Sequence, residues 1–472
     1  MKIRRYFCFF LIIILAFSAT ETVCAAPADS GAAAGSYGLH GSVALVEDPE
    51  MLKTTQAAIA YELNTDTLLF AKDPDKRINP TGLVKLLTAL IVLEEADLNE
   101  MATVYRNTLD TIALGAVSAG LKAGEQVDVV DLLKCVMVAS ANDAAAVMAA
   151  HVAGTQSAFV ERMNQRAKEL GCTDSNFTNV HGLMDENQYS TARDLAIIVE
   201  AALENDAFAE LFSLEKFSMP ATNMSQERYF VTTNYLMSDE YYSHYFDYRV
   251  TGGKPAAATS ADRSVICTAK VGNSRYLFVL MSVECEVTEQ GGFTYSNFLE
   301  TIRLMNYAFN NFTVRQVLDK EQAIYQYAVK NGKNDVLVCG SRDVSVLLPA
   351  DFDKNSVVYE NIVHASALQS PIVAGDPLGT LQIKYGGRVL ASCDLLAMNQ
   401  VERQDDIEIT DRLQSSEDPE KQAIDPKLVF AAILVAVLAG FVAVLVLIIR
   451  GMKKIRSRRG QMRKARKRKR SR

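Results

Sequence analysis

Lys85 stands three residues after Gly82 in the run Asn79-Pro80-Thr81-Gly82-Leu83-Val84-Lys85. Side chains three apart on a helix share a face, so a hydroxyl at the first position would lie beside the amine at the second. Such an amine can take the hydroxyl proton and make the oxygen a nucleophile for acyl transfer. Here the first position is glycine, which has no side chain and cannot form an ester. Thr81, four residues before Lys85, stays near that face with its hydroxyl out of line; its ordinary role there is to cap the helix. Two further polar groups follow. Ser140-Ala141-Asn142 falls at a break between helical stretches, and Lys254-Pro255-Ala256 continues the segment Val250-Thr251-Gly252-Gly253. His181 reads as a structural hydrogen-bonding residue rather than a base.

The elements that must carry these groups are legible from periodicity. Residues 56–63 and 67–71 form a predicted hairpin around Asn64-Thr65-Asp66. Apolar spacing predicts helices over 83–95, 128–139, 142–153, 156–170 and 191–203, the last capped by Ser190 or Thr191. Strands are expected at 263–271 and 275–283 about Gly272-Asn273, and a helix at 295–312. The pattern is α+β: an antiparallel sheet with helices packed on it and a helical section inserted. From 313 to 402, short apolar runs between turns predict a small all-β domain.

Both ends of the chain read as addresses. Lys2, Arg4 and Arg5 precede an apolar run from Tyr6 to Phe17 and the small residues Ala25-Ala26, so residues 1–25 are expected to be a signal peptide. Residues 404–427 form an acidic, polar linker. Residues 428–449 are 22 apolar residues without a charge, long enough to cross a bilayer. Residues 450–472 hold fourteen Lys or Arg and no acid, which places that tail in the cytoplasm and against anionic lipid. The tail has no aromatic residue to stack on bases, so nucleic acid is not expected as a partner. The whole chain carries −7, so the part between the two ends is strongly acidic. Six cysteines outside the signal region are scattered through apolar runs and read as buried free thiols. The five histidines are dispersed too, and neither a metal site nor a cofactor is expected.

Ordered blocks across residues 50–405 give the chain a resemblance. They are Arg77-Ile78-Asn79-Pro80 before the Gly-x-x-Lys, Ala119-Gly120-Leu121-Lys122-Ala123-Gly124-Glu125, Ser140-Ala141-Asn142-Asp143, Phe177-Thr178-Asn179-Val180-His181-Gly182-Leu183 and Tyr189-Ser190-Thr191-Ala192-Arg193-Asp194. A later block, Ser370-Pro371-Ile372-Val373-Ala374-Gly375-Asp376, matches as well. The chain resembles the serine-type D-alanyl-D-alanine carboxypeptidases, the low-molecular-mass penicillin-binding proteins. The resemblance implies a penicillin-binding-protein/β-lactamase-like transpeptidase domain over 43–312, a C-terminal β-domain over 313–403 and a bacterial cell-membrane protein with its ectodomain outside.

In that family a serine attacks the penultimate D-Ala carbonyl and the lysine three residues on is its base. A Ser-x-Asn motif relays a proton and bonds the substrate amide, and a Lys-Thr-Gly strand binds the terminal carboxylate. By resemblance, Lys85 and Ser140 occupy catalytic positions and Asn142 and Lys254 substrate-binding ones. The nucleophile position is Gly82. Pro255 and Ala256 replace threonine and glycine; the proline is expected to disturb its strand and the alanine to add a methyl where backbones approach closely. The expectation is a catalytically inactive member that binds peptidoglycan stem peptide or a wall-synthesis partner. The alternatives are an active carboxypeptidase using Thr81 with Lys85, and a scaffold that works through its β-domain or the tyrosine-rich stretch 241–248.

Overall fold

The structure, a computed structural model, describes residues 41–42, 51–288, 292–364 and 368–404. The expected signal peptide, membrane span and basic tail lie outside the described residues, as does the linker beyond Gln404. Among the described residues no helix is long and apolar enough to cross a membrane.

The chain divides into two compact units. The first holds almost all described elements, beginning with a six-stranded sheet. Its strands are β1 (Thr55–Glu62), β2 (Thr67–Lys72), β3 (Val250–Ala257), β4 (Asp262–Val271) and β5 (Ser274–Glu284), with Gly41–Ser42 at one edge. The order across the sheet is Gly41–Ser42, β2, β1, β5, β4, β3, antiparallel except for the first pair. Besides the single-turn helix Arg106–Leu109, the helices are α1 (Val84–Glu95), α2 (Val129–Val138), α3 (Asn142–Ala153), α4 (Gln156–Glu169), α5 (Ala192–Ala202), α6 (Asp206–Phe212) and α7 (Ser296–Asn311).

Both faces of this sheet are covered, and the strands show it by being apolar on both. Successive strand residues point to opposite faces. Ile59, Leu277, Val279 and Met281 join a core with α1 to α6. Their neighbours Ala58, Ala60, Phe278 and Leu280 join a second core with Phe298, Leu304 and Met305 of α7. This explains why β1 and β5 read as continuous apolar runs rather than alternating ones. Helix α1 is buried from Val84 to Val92, so it is the central rod of the helical layer, apolar nearly all round. A lysine in its first turn is therefore held inside the protein.

Several expectations hold closely. Thr191 caps α5, its side chain accepting from the Asp194 N–H. The β4–β5 turn falls at Gly272-Asn273, where Gly272 takes φ +59°. Strand β3 differs from expectation. The ladder keeps its register through Lys254↔Ile266, Pro255↔Val265 and Ala256↔Ser264. Pro255 does not disturb it, because β3 is the edge strand, where a residue without an N–H is tolerated. Two short antiparallel pairs, Met101–Thr103 with Gln126–Asp128 and Lys216–Met219 with Arg228–Val231, are too brief for alternation to mark them and were not expected. All six described cysteines are free and buried.

After α7 come β6 (Phe312–Leu318), β7 (Val336–Gly340), β8 (Val344–Pro349), β9 (Val357–Val363), β10 (Pro377–Tyr385) and β11 (Arg388–Ala397). β6 pairs with β8, and a five-stranded sheet runs Tyr325–Tyr327, β7, β11, β10, β9. This is the expected small β-domain. The second compact unit comprises 327–336, 368–373 and the described residues from Gln400 on. Bridges Lys330↔Gln369 and Ile372↔Val401 join its segments, with Ile372 and Val401 buried.

Candidate active site

A cleft of about 570 Å³ opens where the head of α1, the α2–α3 break and the edge strand β3 meet. Gly82, Lys85, Ser140, Asn142, His181, Pro255 and Ala256 line it, together with residues 115–117, Arg263, Tyr235 and Tyr295. Three of the motifs singled out in the sequence therefore converge on one place.

Gly82 sits in a single 3-10 turn, Thr81–Leu83, that leads into α1. A Cβ at this position would stand 3.5 Å from Ser140 Oγ, 3.8 Å from Lys85 Nζ and 3.4 Å from Ala256 Cβ. Those are ordinary contact distances, so a side chain fits and would point between the serine hydroxyl and the lysine amine. A side-chain hydroxyl at this position would lie beside both groups, and glycine supplies none.

Lys85 is 2% exposed, and its ammonium donates to the His181 carbonyl. Burial pulls its pKa down to about 7, against a smaller pull upward from the Asp143 carboxylate. An amine that titrates near neutrality can accept a proton at physiological pH, which a solvated lysine cannot. His181 is pushed down as well, to about 4, by burial and by the Lys85 charge. It is neutral, its Nδ1 accepting from the Leu183 N–H at 3.2 Å, as expected of a structural residue.

Ser140 occupies the hinge between α2 and α3 with φ +56°. A non-glycine residue there carries strain of about 1–2 kcal/mol. Asn142 opens α3, and its N–H donates to Val117 O at 2.8 Å. Asp143, the next residue, receives Ala119 N–H at 2.8 Å, Leu121 N–H at 3.0 Å and Ser118 Oγ at 2.6 Å. This carboxylate ties the 118–121 loop to α3 and so fixes one wall of the cleft. Its role was not visible in the sequence, because it depends on partners more than twenty residues away.

Lys254 is 1% exposed and does not line the cleft. Its ammonium donates to Val136 O at 2.8 Å and Met137 O at 3.3 Å, carbonyls in the last turn of α2. The negative end of a helix is a natural seat for a buried cation. Burial and the nearby Lys85 charge push its pKa well down.

Thr81 is 3% exposed with φ +47°, and its Oγ1 has no hydrogen-bond partner. It does not cap α1, contrary to expectation; Asn79 organises the turn instead, its Oδ1 accepting the Thr81 N–H at 2.9 Å. Nor does Thr81 line the cleft. Gly182 explains how its backbone is held: a Cβ there would lie 1.9 Å from Thr81 O, so only glycine lets this loop press against the turn.

The tyrosine-rich stretch divides. Tyr245 is buried, while Tyr241, Phe246 and Tyr248 are exposed. Tyr242 packs on Tyr235 and Tyr295 at ring distances of 4.4 and 5.5 Å, which joins the stretch to the aromatic end of the cleft. Sequence reasoning missed Tyr235, Tyr295 and Arg263 as cleft residues, since no spacing rule links them.

Comparison with known proteins accords with this geometry. Residues 45–285 match the D-alanyl-D-alanine carboxypeptidase family, and residues 312–403 match the C-terminal domain of penicillin-binding protein 5. The chain is 27% identical over 357 residues to D-alanyl-D-alanine carboxypeptidase DacF of Bacillus subtilis, covering 75% of this chain and 87% of that protein. It is 29% identical over 358 residues to DacA of Haemophilus influenzae, covering 74% and 85%. The crystal structure of penicillin binding protein 5 from Haemophilus influenzae superposes with a TM-score of 0.58 at 27% identity, covering 74% of this chain and 98% of that one. The chain belongs to the D-alanyl-D-alanine carboxypeptidase family.

Proposed function

We propose that this protein acts in bacterial cell-wall metabolism as a non-acylating member of its family, binding peptidoglycan stem peptide or a wall-synthesis partner in the cleft without turning it over. One observation carries the reading. The position between Lys85 Nζ and Ser140 Oγ belongs to Gly82, which has no atom to hold an acyl group. In this reading Lys85 and Ser140 keep the catalytic positions, and Asn142 orients the ligand amide. Lys254 supports the wall from behind through the α2 carbonyls. Thr81 is not a substitute nucleophile, since its hydroxyl is buried away from the cleft. Retention of a low-pKa amine and a strained serine hinge, both costly to fold, favours a site kept for binding over a scaffold with an idle cleft.

The proposal extends to organisation. Residues 43–312 form the peptidase-like domain and 313–403 the β-domain. Residues 428–449 anchor the protein in the cell membrane, with the basic 450–472 tail in the cytoplasm against lipid and the removed 1–25 segment as export signal. The test is titration of the full-length protein in detergent with a peptide ending in D-Ala-D-Ala. Binding by calorimetry without released D-alanine is the expected outcome. D-alanine release that disappears in Thr81→Ala would replace this reading with the rearranged-enzyme one.

A further inference from the structure

Among the residues lining the cleft there is no Asp or Glu, and three could carry positive charge: Lys85, His181 and Arg263. His181 is neutral and Lys85 titrates near neutrality. Arg263 is thus the one lining residue that is a cation at every physiological pH. It stands on β4, cross-strand from Ala257, one residue beyond the eroded Lys254-Pro255-Ala256 motif on the edge strand.

The guanidinium is held in place but not used up. Its carbon lies 4.7 Å from the centre of the Tyr295 ring, and its Nε donates to Ser260 O at 3.1 Å. Tyr295 is itself wedged among Tyr235, Tyr242, Tyr245 and Phe298, with ring distances of 5.3 to 5.9 Å. Among the described residues no carboxylate pairs with Arg263, and its terminal nitrogens donate to none of them. A stacked guanidinium with a free fork at the end of an acid-free cleft is the geometry that accepts a carboxylate through two parallel hydrogen bonds.

The resemblance gives the carboxylate to the Lys-Thr-Gly strand. In this chain that strand has neither means. Pro255 brings no hydroxyl, and the Lys254 ammonium is spent on Val136 and Met137 carbonyls outside the cleft lining. We propose that Arg263, stacked on Tyr295, grips the free C-terminal carboxylate of a peptide ligand laid along β3. This rests on the binding function proposed above and names the group that gives that binding its specificity. Arg263 is a binding residue here; no bond is made or broken.

The test compares a diacetyl-Lys-D-Ala-D-Ala peptide with its C-terminal amide, titrated into the full-length protein in detergent and into Arg263→Lys and Arg263→Gln, each checked for an unchanged melting temperature. In the wild type the acid should bind about tenfold or more tighter than the amide. Arg263→Gln should erase that preference, acid and amide then binding equally, and Arg263→Lys should restore only part of it, because a point charge cannot form the planar fork. Should Arg263→Gln fail to fold, the wild-type preference and its partial loss in Arg263→Lys carry the test. Equal binding of acid and amide by the wild type overturns the role of Arg263 while leaving the binding function intact. Binding of neither peptide overturns both the role of Arg263 and the binding of stem peptide in this cleft.

Discussion

Gly82 uses none of the freedom that glycine offers. Its backbone lies outside the left-handed region, and a side chain would meet only ordinary contacts. Gly82→Ser should therefore fold, and its hydroxyl would stand beside Lys85 and Ser140. The variant is expected to gain a covalent penicillin adduct that the parent lacks. Its D-alanine release should stay about 10²-fold below that of a triple variant that also restores Pro255→Thr and Ala256→Gly, since one lost donor at such a site costs that much. Turnover in the single variant equal to the triple would show that the third motif is dispensable. Lys85 makes a second prediction. Its folded pKa of about 7 is far below the unfolded value near 10.5, so below pH 7 the folded state bears the full burden of a buried charge. Between pH 7 and 10 the unfolded state holds the extra proton, and stability rises with pH. Lys85→Met removes this burden, so its stability relative to wild type should be greatest at pH 7 and fall by on the order of 1 kcal/mol per pH unit toward pH 9. Urea unfolding at pH 7, 8 and 9 checks this, and a pH-independent difference contradicts it.

At the scale of elements, the cleft is built where segments begin, end or break. The turn before α1, the hinge between α2 and α3, and the edge strand β3 supply it. Asp143, at the head of α3, clasps the 118–121 loop to that hinge. Asp143→Ala would leave two buried backbone N–H groups and the Ser118 hydroxyl without their acceptor. A loss of about 3 kcal/mol in urea unfolding is expected, along with weaker peptide binding; a loss under about 1 kcal/mol would mean that the loop has other anchors. Apolar spacing disclosed the helices, and two apolar runs on either side of Gly272-Asn273 disclosed the β4–β5 hairpin. The sequence disclosed Gly82, Lys85, Ser140 and Asn142 because they sit within short local motifs. It did not disclose Arg263, Tyr295 or Asp143, whose roles arise from partners brought together only by the sheet and the helix crossings. It also misjudged Pro255, since whether a strand lies at an edge is a property of the whole sheet.

For the whole molecule, the acidic body and the basic 450–472 tail are opposite in charge and separated by the apolar 428–449 stretch. Removing residues 428–472 should move the protein from the membrane pellet to the aqueous fraction, with ligand binding unchanged; retention in the pellet would locate the anchor elsewhere. The cleft, by contrast, is complete within residues 82–295, so its chemistry stands on one folded body. The claim at the centre of the account is that this body offers no atom to an acyl group. Intact-mass measurement of the full-length protein after prolonged exposure to a β-lactam tests it most directly. The account predicts the unmodified mass for the parent and the mass of one added β-lactam for Gly82→Ser. A stable adduct on the parent protein, at Thr81, Ser140 or any neighbouring residue, would contradict it.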